Sequence, residues 1–444
     1  MNKKIALLSL IIGTLSLFVL NPCFAVDRND LNVEFFTRFN DVYLFQYVNE
    51  AIDNNHNAKQ ATKRVEEYRQ GVKSQFANEL PSFSVAANYL GIHLPKFNPN
   101  LSVSKNAFVL PFIANYEADF LLKNRDKTKS AKKTYEMSKL DEQSVYLSLL
   151  SDVATLYTNI LEYDKLIEEQ EKIVDNYNQI LEDDNKKLSR GIINTTELNN
   201  SKSNVEQANI TLENLIKQRE ILLMQFAVLI GRSADGSNNI ARGSIDDFEY
   251  SAVIPNEIES DVIFSRPDVK RAEAGLEKAK IDIRVARKAF LPTFNITGIW
   301  AFNTIAPGSF FSWETSLAAL VAGATQDIFA GGRKIADLKF QKAKYEELFE
   351  QYRQTDLDAV KEVNTSLCII KHDTEVENGV NEKLKLEAIN LNSADKMLNQ
   401  GVISKSQYLN SENLYISKDM ASTKAKTQRL VNYYTLYKTT GGKI

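Results

Sequence analysis

Between Lys123 and Leu188 the chain contains neither proline nor glycine, and apolar residues recur through the core of this stretch at alternating steps of four and three. Leu149, Val153, Leu156, Ile160, Tyr163 and Ile167, then Val174, Tyr177, Leu181 and Leu188, trace the seam of a coiled coil. At a helical rise of about 1.5 Å per residue, the segment predicts a rod of roughly 100 Å. A rod of that length does not fold back into a compact domain, so its apolar stripe must be covered lengthwise. The rhythm resumes at Leu198, Ser201, Val205, Ala208, Leu212, Leu215, Leu222, Phe226 and Leu229 and stops at Gly231. Between the two runs, Gly191 permits a tight reversal and Asn194 or Thr195 can cap the following helix. The two rods are therefore expected to form an antiparallel hairpin.

The design occurs twice. His56 to Val85 reappears without a gap as Pro267 to Ile296, so that Leu80-Pro81-Ser82-Phe83 lies over Leu291-Pro292-Thr293-Phe294, an offset of 211 residues. A second match, Leu188 to Ser201 over Leu398 to Ser411, has an offset of 210. Two distant anchors at nearly one spacing indicate two structurally equivalent halves. We read residues 1–25 as a leader, 26–245 as the first repeat with its helical hairpin at about 123–231, and 246–444 as the second with its hairpin at about 333–437. The second seam is less regular: Val363, Leu367 and Ile370 are strong, whereas Glu377, Asn381 and Asp395 interrupt it. Ser233 to Asn256, rich in Gly, Ser, Asn and Asp, joins the halves and is expected to pack against the middle of the rods.

Short stretches with period two break the helical pattern. Phe294, Ile296, Trp300 and Phe302 alternate with a face that begins Thr293, Asn295 and Thr297, and Phe83, Val85, Ala87 and Tyr89 alternate with Ser82, Ser84 and Asn88. Such strands fit a transmembrane barrel, apolar toward lipid and polar toward the lumen, and fit a soluble sandwich equally well. Each half offers two, at about 80–91 and 107–120, then about 291–303 and 312–328, joined by loops with Pro95 and Pro99 or Pro307 and Gly308. Four strands do not close a barrel, for which about eight is the lower limit. Several copies must contribute, and a homotrimer supplies twelve strands.

At the N-terminus, Lys3 and Lys4 precede the apolar run Ile5 to Leu20, and Cys23-Phe24-Ala25 supplies small residues for cleavage, with Val26 the expected first mature residue. Lipidation of Cys23 is the alternative processing, disfavoured by Asn21 and Pro22. Loss of the leader moves the formal charge from −3 to −5, and no basic tail points to nucleic acid. Only Cys368 survives cleavage, on a helix where it looks buried, so no internal disulfide is available. No later apolar run is long enough for a membrane helix, and bilayer entry requires a closed barrel.

Ser265-Arg266-Pro267-Asp268-Val269, Ala272-Glu273, Phe290-Leu291-Pro292, Asp327-Ile328-Phe329-Ala330-Gly331-Gly332-Arg333 and Leu222 to Arg232 closely resemble the TolC/OprM-type outer-membrane efflux proteins, and the resemblance covers nearly the whole mature chain. It implies an α+β membrane protein: a trimeric 12-stranded transmembrane β-barrel, four strands per chain, continued by a long periplasmic α-helical coiled-coil barrel, with an internal two-fold repeat. It implies an exit duct in the outer membrane, fed by an inner-membrane pump of the resistance-nodulation-division or ABC type through a periplasmic membrane-fusion adaptor. The implied docking and gating positions are the hairpin tips, with Gly191, Ile192, Ile193, Thr195, Thr196 and Glu197 on one and Gly401, Val402, Ile403, Ser404, Lys405, Gln407 and Asn410 on the other. Ile193 or Ile403 would fill grooves of the adaptor. Family members often carry aspartates just after the second tip; here Gln407 and Asn410 stand there, leaving Glu197, Glu377 or Asp395 as acidic candidates. Gly331, Gly332 and Arg333 match the family's strand-to-helix junction, whereas the first half has Lys123, Asn124 and Arg125, so the two junctions are expected to bend unequally.

Catalysis finds little in the sequence. His56, His93 and His372 are isolated, Cys368 has no evident base, and Gly331-Gly332-Arg333 lacks the ending of a phosphate loop. No enzyme, metal or cofactor is expected. The rival readings are a type I protein-secretion conduit of the same fold and a periplasmic coiled-coil adaptor or structural protein.

Overall fold

The computed structural model describes residues 31–93, 104–235, 240–255, 257–304, 313 and 316–444. The expected leader, Cys23, and the loop residues Pro95, Pro99, Pro307 and Gly308 lie outside the described residues. A 3-10 turn (Val33–Phe39) leads into α1 (Val42–Asn54) and α2 (His56–Ala77), followed by β1 (Ser82–Val85), β2 (Asn88–His93) and β3 (Ser104–Glu117). The first hairpin is α3 (Lys123–Ser189) and α4 (Thr195–Leu229). The short α5 (Ser260–Phe264) and α6 (Pro267–Lys288) then introduce β4 (Thr293–Thr304) and β5 (Ser316–Thr325), and α7 (Arg333–Asn399) with α8 (Lys405–Thr439) forms the second hairpin. Equivalent helices have equal lengths: α2 and α6 have 22 residues, α3 and α7 have 67, α4 and α8 have 35.

The strands form one antiparallel sheet in the order β1/β2, β3, β4, β5. β1 and β2 are a single strand interrupted once, since both keep the same register on β3, with Val85 opposite Phe112 and Asn88 opposite Val109. The interruption falls opposite Pro111: Ala86 N donates to Pro111 O at 3.1 Å, but a proline has no N–H to return. One face is apolar over its middle, with Val85, Phe112, Trp300 and Ala318 in register across it, and turns polar toward the end away from the helices, where Ser316 lies opposite Phe302. The opposite face carries Ser82, Asn115 and Thr297 at its helix end, where Thr297 Oγ1 donates to Asn115 Oδ1 at 3.0 Å. Both outer strands, β1/β2 and β5, have an unpaired edge among the described residues. β3 ends at Glu117, short of the expected 120, because Asp119 leaves the sheet to cap α3: its carboxylate accepts from Lys123 N at 2.6 Å and Arg125 N at 2.9 Å. No described helix is long and apolar enough to cross a membrane.

The main core lies part-way down the rods. Phe35, Phe36 and Phe39 from the N-terminal turn pack with Tyr157 and Leu150 of α3, Phe226 of α4, and Tyr434 and Tyr437 of α8, all fully buried. Phe35 stacks on Tyr437 with ring centroids 4.8 Å apart. The connector between the halves contributes Ile240, Ile245 and Phe248 to this cluster. Each such side chain contributes roughly 1.5–3 kcal/mol on burial. On α3 the buried set is wider than one seam. Leu149, Val153, Ile160 and Ile167 are buried, and so are Leu150, Ala154, Tyr157 and Leu161, because α3 packs on α4 with one stripe and on α8, α1, α2 and α6 with the rest. On α7 the buried stripe is Ala359, Val363, Ser366, Ile370 and Glu377. Cys368 lies off that stripe and is exposed, a correction to its buried appearance in the sequence.

Candidate functional site at the paired hairpin tips

Both tips are built by the same local chemistry. α3 closes with a reversal in which Gly191 N donates to Leu188 O and Ile192 N to Lys187 O, each at 2.9 Å, and α7 closes with Gly401 N to Leu398 O and Val402 N to Met397 O, each at 2.9 Å. This double bond pattern needs a left-handed residue, and Gly191 (φ 70°) and Gly401 (φ 73°) supply it. The next helix starts with a reciprocal cap in each case: the Asn194 side chain accepts from Glu197 N while Glu197 accepts from Asn194 N, and Ser404 and Gln407 do the same.

These caps decide what two of the site residues do. The Glu197 carboxylate, a candidate acidic group, is held at 3.3 Å by Asn194 N. Gln407 occupies the equivalent position and accepts from Ser404 N at 2.8 Å, so it too has a structural duty in its cap. Glu377 is also engaged: it is buried and paired with the Arg429 guanidinium of α8, which in turn donates to Tyr433 OH at 2.9 Å. Asp395 is exposed and accepts from Asn399 at 3.3 Å. Thr195, Thr196, Lys405 and Asn410 are exposed around the tips. Of the aliphatics, Ile192 (65%) and Val402 (67%) are the exposed pair, at equivalent positions, whereas Ile193 and Ile403 are half-buried.

The sequence reading missed the polar clasp that joins the tips. Lys187 of α3 pairs with Asp183 at 2.8 Å and Asp184 at 3.1 Å, and donates to Ser406 Oγ of α8 at 3.2 Å. Ser406 donates to Asp183 at 2.9 Å, and Ser201 of α4 donates to Asp184 at 2.6 Å. The hydrogen bond from Lys187 holds the Asp183 carboxyl below its usual range against a smaller opposing effect of burial, and its bond to Asp183 raises Lys187 in turn. Two turns up the rod, Asn176 donates to Asn413 at 2.9 Å and to Glu412 at 3.1 Å. The clue was the pair Asp183-Asp184, which the second half replaces with Ser393-Ala394. The clasp is therefore one-sided, and the repeat alone does not reveal it.

The two strand-to-helix junctions are built differently. Gly332 (φ 81°) is the left-handed residue before α7, preceded by Gly331 (φ 56°). Its equivalent before α3 is Leu122, at φ 57°. A left-handed leucine costs about 1–2 kcal/mol, and the double cap by Asp119 offsets it. Arg333 is exposed and 4.0 Å from Asp327.

One antiparallel sheet carried on two long hairpins is a fold shared with proteins of known structure. The family model described as outer membrane efflux protein matches residues 47–232 and 260–442. The chain belongs to the outer membrane efflux protein family. Among its relatives in that family, the cation efflux system protein CusC of Escherichia coli K12 is 23% identical over 415 residues, covering 93% of this chain and 90% of CusC. The outer membrane protein OprJ of Pseudomonas aeruginosa is 24% identical over 417 residues, covering 90% of this chain and 84% of OprJ. The crystal structure of the Campylobacter jejuni CmeC outer membrane channel shares the fold with a TM-score of 0.86 at 21% identity, over 92% of this chain and 88% of that one. The open state of the Neisseria gonorrhoeae MtrE outer membrane channel does so with a TM-score of 0.80 at 21% identity, over 95% and 94%. As an outer membrane efflux protein, the chain is a transport component and no enzyme, located in the outer membrane and reaching into the periplasm. The reading as a periplasmic adaptor is thereby set aside.

Proposed function

We propose that the protein is the exit duct of a tripartite pump, passively conducting small molecules across the outer membrane. Three copies assemble around an axis, their sheets joining edge to edge into twelve strands and their hairpins into a helical barrel. A periplasmic adaptor docks at the tips, and an inner-membrane pump of the resistance-nodulation-division or ABC type lies beyond it. The observation that carries this reading is the state of the sheet: one apolar face, and two edges unpaired among the described residues. An open edge is a strong driver of strand pairing, and closure with further copies is what removes it. The exposed side of α7, with Leu357 at 67%, Leu386 at 61% and Ile389 at 63%, supplies the lengthwise surface such copies would cover.

In this reading Ile192 and Val402 are the apolar contacts offered to the adaptor, and the clasp around Lys187 holds the tips together at rest. A type I protein-secretion conduit would use the same duct, and the pump would set its cargo. The test has two parts. The protein should run as a heat-modifiable trimer from the outer-membrane fraction. In planar bilayers it should conduct, and a disulfide between cysteines placed at Gln407 and on the neighbouring copy should suppress the current until reduced. A protein that forms no pore even with its adaptor present refutes the assignment.

A further inference from the structure

The chain is acidic overall, with a formal charge of −3, yet its charge is sorted along the rods. Residues 123–139, where α3 leaves the sheet, hold seven Lys or Arg against two Asp or Glu, and residues 333–344, where α7 leaves it, hold five against one. Residues 278–288, where α6 enters the sheet, again hold five against one. Further down α3 the balance reverses, with nine acids against four bases over residues 162–187. The strand-proximal ends of α3, α6 and α7 thus form a basic collar, interrupted at α2, whose last turns and exit hold Arg69 and Lys73 beside Glu67 and Glu79. Its exposed members in the turns nearest the sheet are Arg125, Lys129, Arg284, Arg287, Arg333 and Lys339.

Helix ends account for only part of this collar. α6 ends at the sheet, where Arg287 and Lys288 in its last turn are favoured, but α3 and α7 begin there, and the N-terminal end of a helix disfavours cations. Internal neutralisation is also insufficient: Asp126, 4% exposed, is shared among Lys288 at 2.7 Å, Arg284 at 3.6 Å and Lys129 at 3.8 Å. Asp327 is likewise shared between Lys334 at 3.4 Å and Arg333 at 4.0 Å. Between the apolar face of the sheet and the collar lie exposed aromatics, Phe120 at 74% and Phe329 at 89%. Apolar sheet, aromatic belt and cations follow one another along the chain in the order in which a bilayer presents hydrocarbon, interface and headgroup phosphate.

We propose that this collar binds the phosphodiester headgroups of anionic glycerophospholipids in the periplasmic leaflet. The inference rests on the duct reading, which places the sheet in the bilayer. The occupant is a lipid rather than an anionic cell-wall polymer because the cations are contiguous with the aromatic belt and lie in the first turns of α3 and α7 and the last turns of α6, within about 9 Å of the sheet-side helix ends at the helical rise. Guanidinium groups suit phosphate, which they grip through two parallel hydrogen bonds.

The test titrates short-chain phosphatidylglycerol, and phosphatidylcholine as the neutral comparison, against the detergent-solubilised full chain. Wild type should bind the anionic lipid saturably and more weakly as salt is raised. The sixfold variant R125Q/K129Q/R284Q/R287Q/R333Q/K339Q should bind it at least tenfold more weakly, since each juxtamembrane cation contributes about fivefold. A second variant with Lys at the four Arg positions, which keeps the charge but not the two-bond grip, should bind more weakly than wild type and more tightly than the sixfold variant, and K172Q/K186Q, far down the rod, should be unchanged. Equal binding of the two lipids, or undiminished binding by a folded sixfold variant, overturns the proposal. So does collar-dependent sedimentation with purified peptidoglycan when phosphatidylglycerol is not bound. Failure to insert into vesicles of either composition would instead refute the duct reading, whereas insertion without headgroup preference refutes the collar alone.

Discussion

α3 and α7 occupy equivalent places in the duplicated chain and have the same 67 residues, yet α3 buries twenty-four of them and α7 buries six. Their surroundings explain the difference. α3 is packed by α1, α2, α4, α6 and α8, whereas α7 has α5, α6 and α8. One rod has its neighbours within the molecule, and the other keeps Leu357, Val376, Leu386 and Ile389 exposed. Duplication copied the length and the turns of the hairpin but not its surroundings, and the apolar surface left open falls on the second half.

The comparison breaks most sharply in the core that α3 shares with α4. Phe226→Ala, at a fully buried site, should cost about 3–5 kcal/mol, read as loss of the folded species in denaturant or thermal unfolding. On α7, Leu357→Asp with Leu386→Asp should leave helical content intact by circular dichroism. Assembly should weaken by about 3 kcal/mol or more, because an unpaired charge would be buried between copies. A double variant that remains trimeric on sizing would show that this face of α7 needs no partner.

The tips should behave alike where the rods do not. Gly191→Ala and Gly401→Ala have open space for the new methyl group, and each should cost about 1–2 kcal/mol through the left-handed backbone alone. Unequal losses in thermal unfolding would show that the one-sided clasp strains one turn.

The smallest expected effect is on pH. Burial raises the carboxyls of Glu162 and Asp419 in the seam of α3 with α8, so the folded form holds their protons more tightly than the unfolded form. Their contribution is fully present below the ordinary values of 4.5 and 3.8 and is lost as pH rises through the raised folded values. The lowered Asp183 behaves oppositely: its contribution is present above 3.8 and lost as pH falls through the lower folded value. Exchange protection, corrected for the pH dependence of intrinsic amide exchange, should therefore rise in the α3/α8 seam as pH falls toward the ordinary carboxylate range, while at the tip it falls only below that range. Parallel responses at the two places would contradict these directions.

Much of this architecture was legible in sequence because it is local. Glycine at a reversal, a polar cap at the start of the next helix and a heptad stripe each act within a few residues, and Gly191, Asn194 and Val153 announce them. What was not legible depends on partners distant in sequence. Leu150, Ala154, Tyr157 and Leu161 form a second buried stripe that a reading with one partner per rod passes over. Asp119 rescuing a left-handed Leu122, and Ser406 reaching Asp183 across 223 residues, involve groups whose pairing no spacing rule predicts. At the site itself, the residue types at 197 and 407 were read as charge choices, whereas both serve as helix caps.

Asn32 reaches the opposite terminus, donating to Gly442 O at 2.8 Å and Ile444 O at 3.3 Å, while Phe35 stacks on Tyr437. Residues near position 32 thus find their resting place only against partners 410 positions later in the chain. Closing so large a loop is slow, so the chain emerges with its central core still unmade. For a polypeptide that must first be threaded across one membrane to reach another, that delay keeps it in a state that can still be threaded.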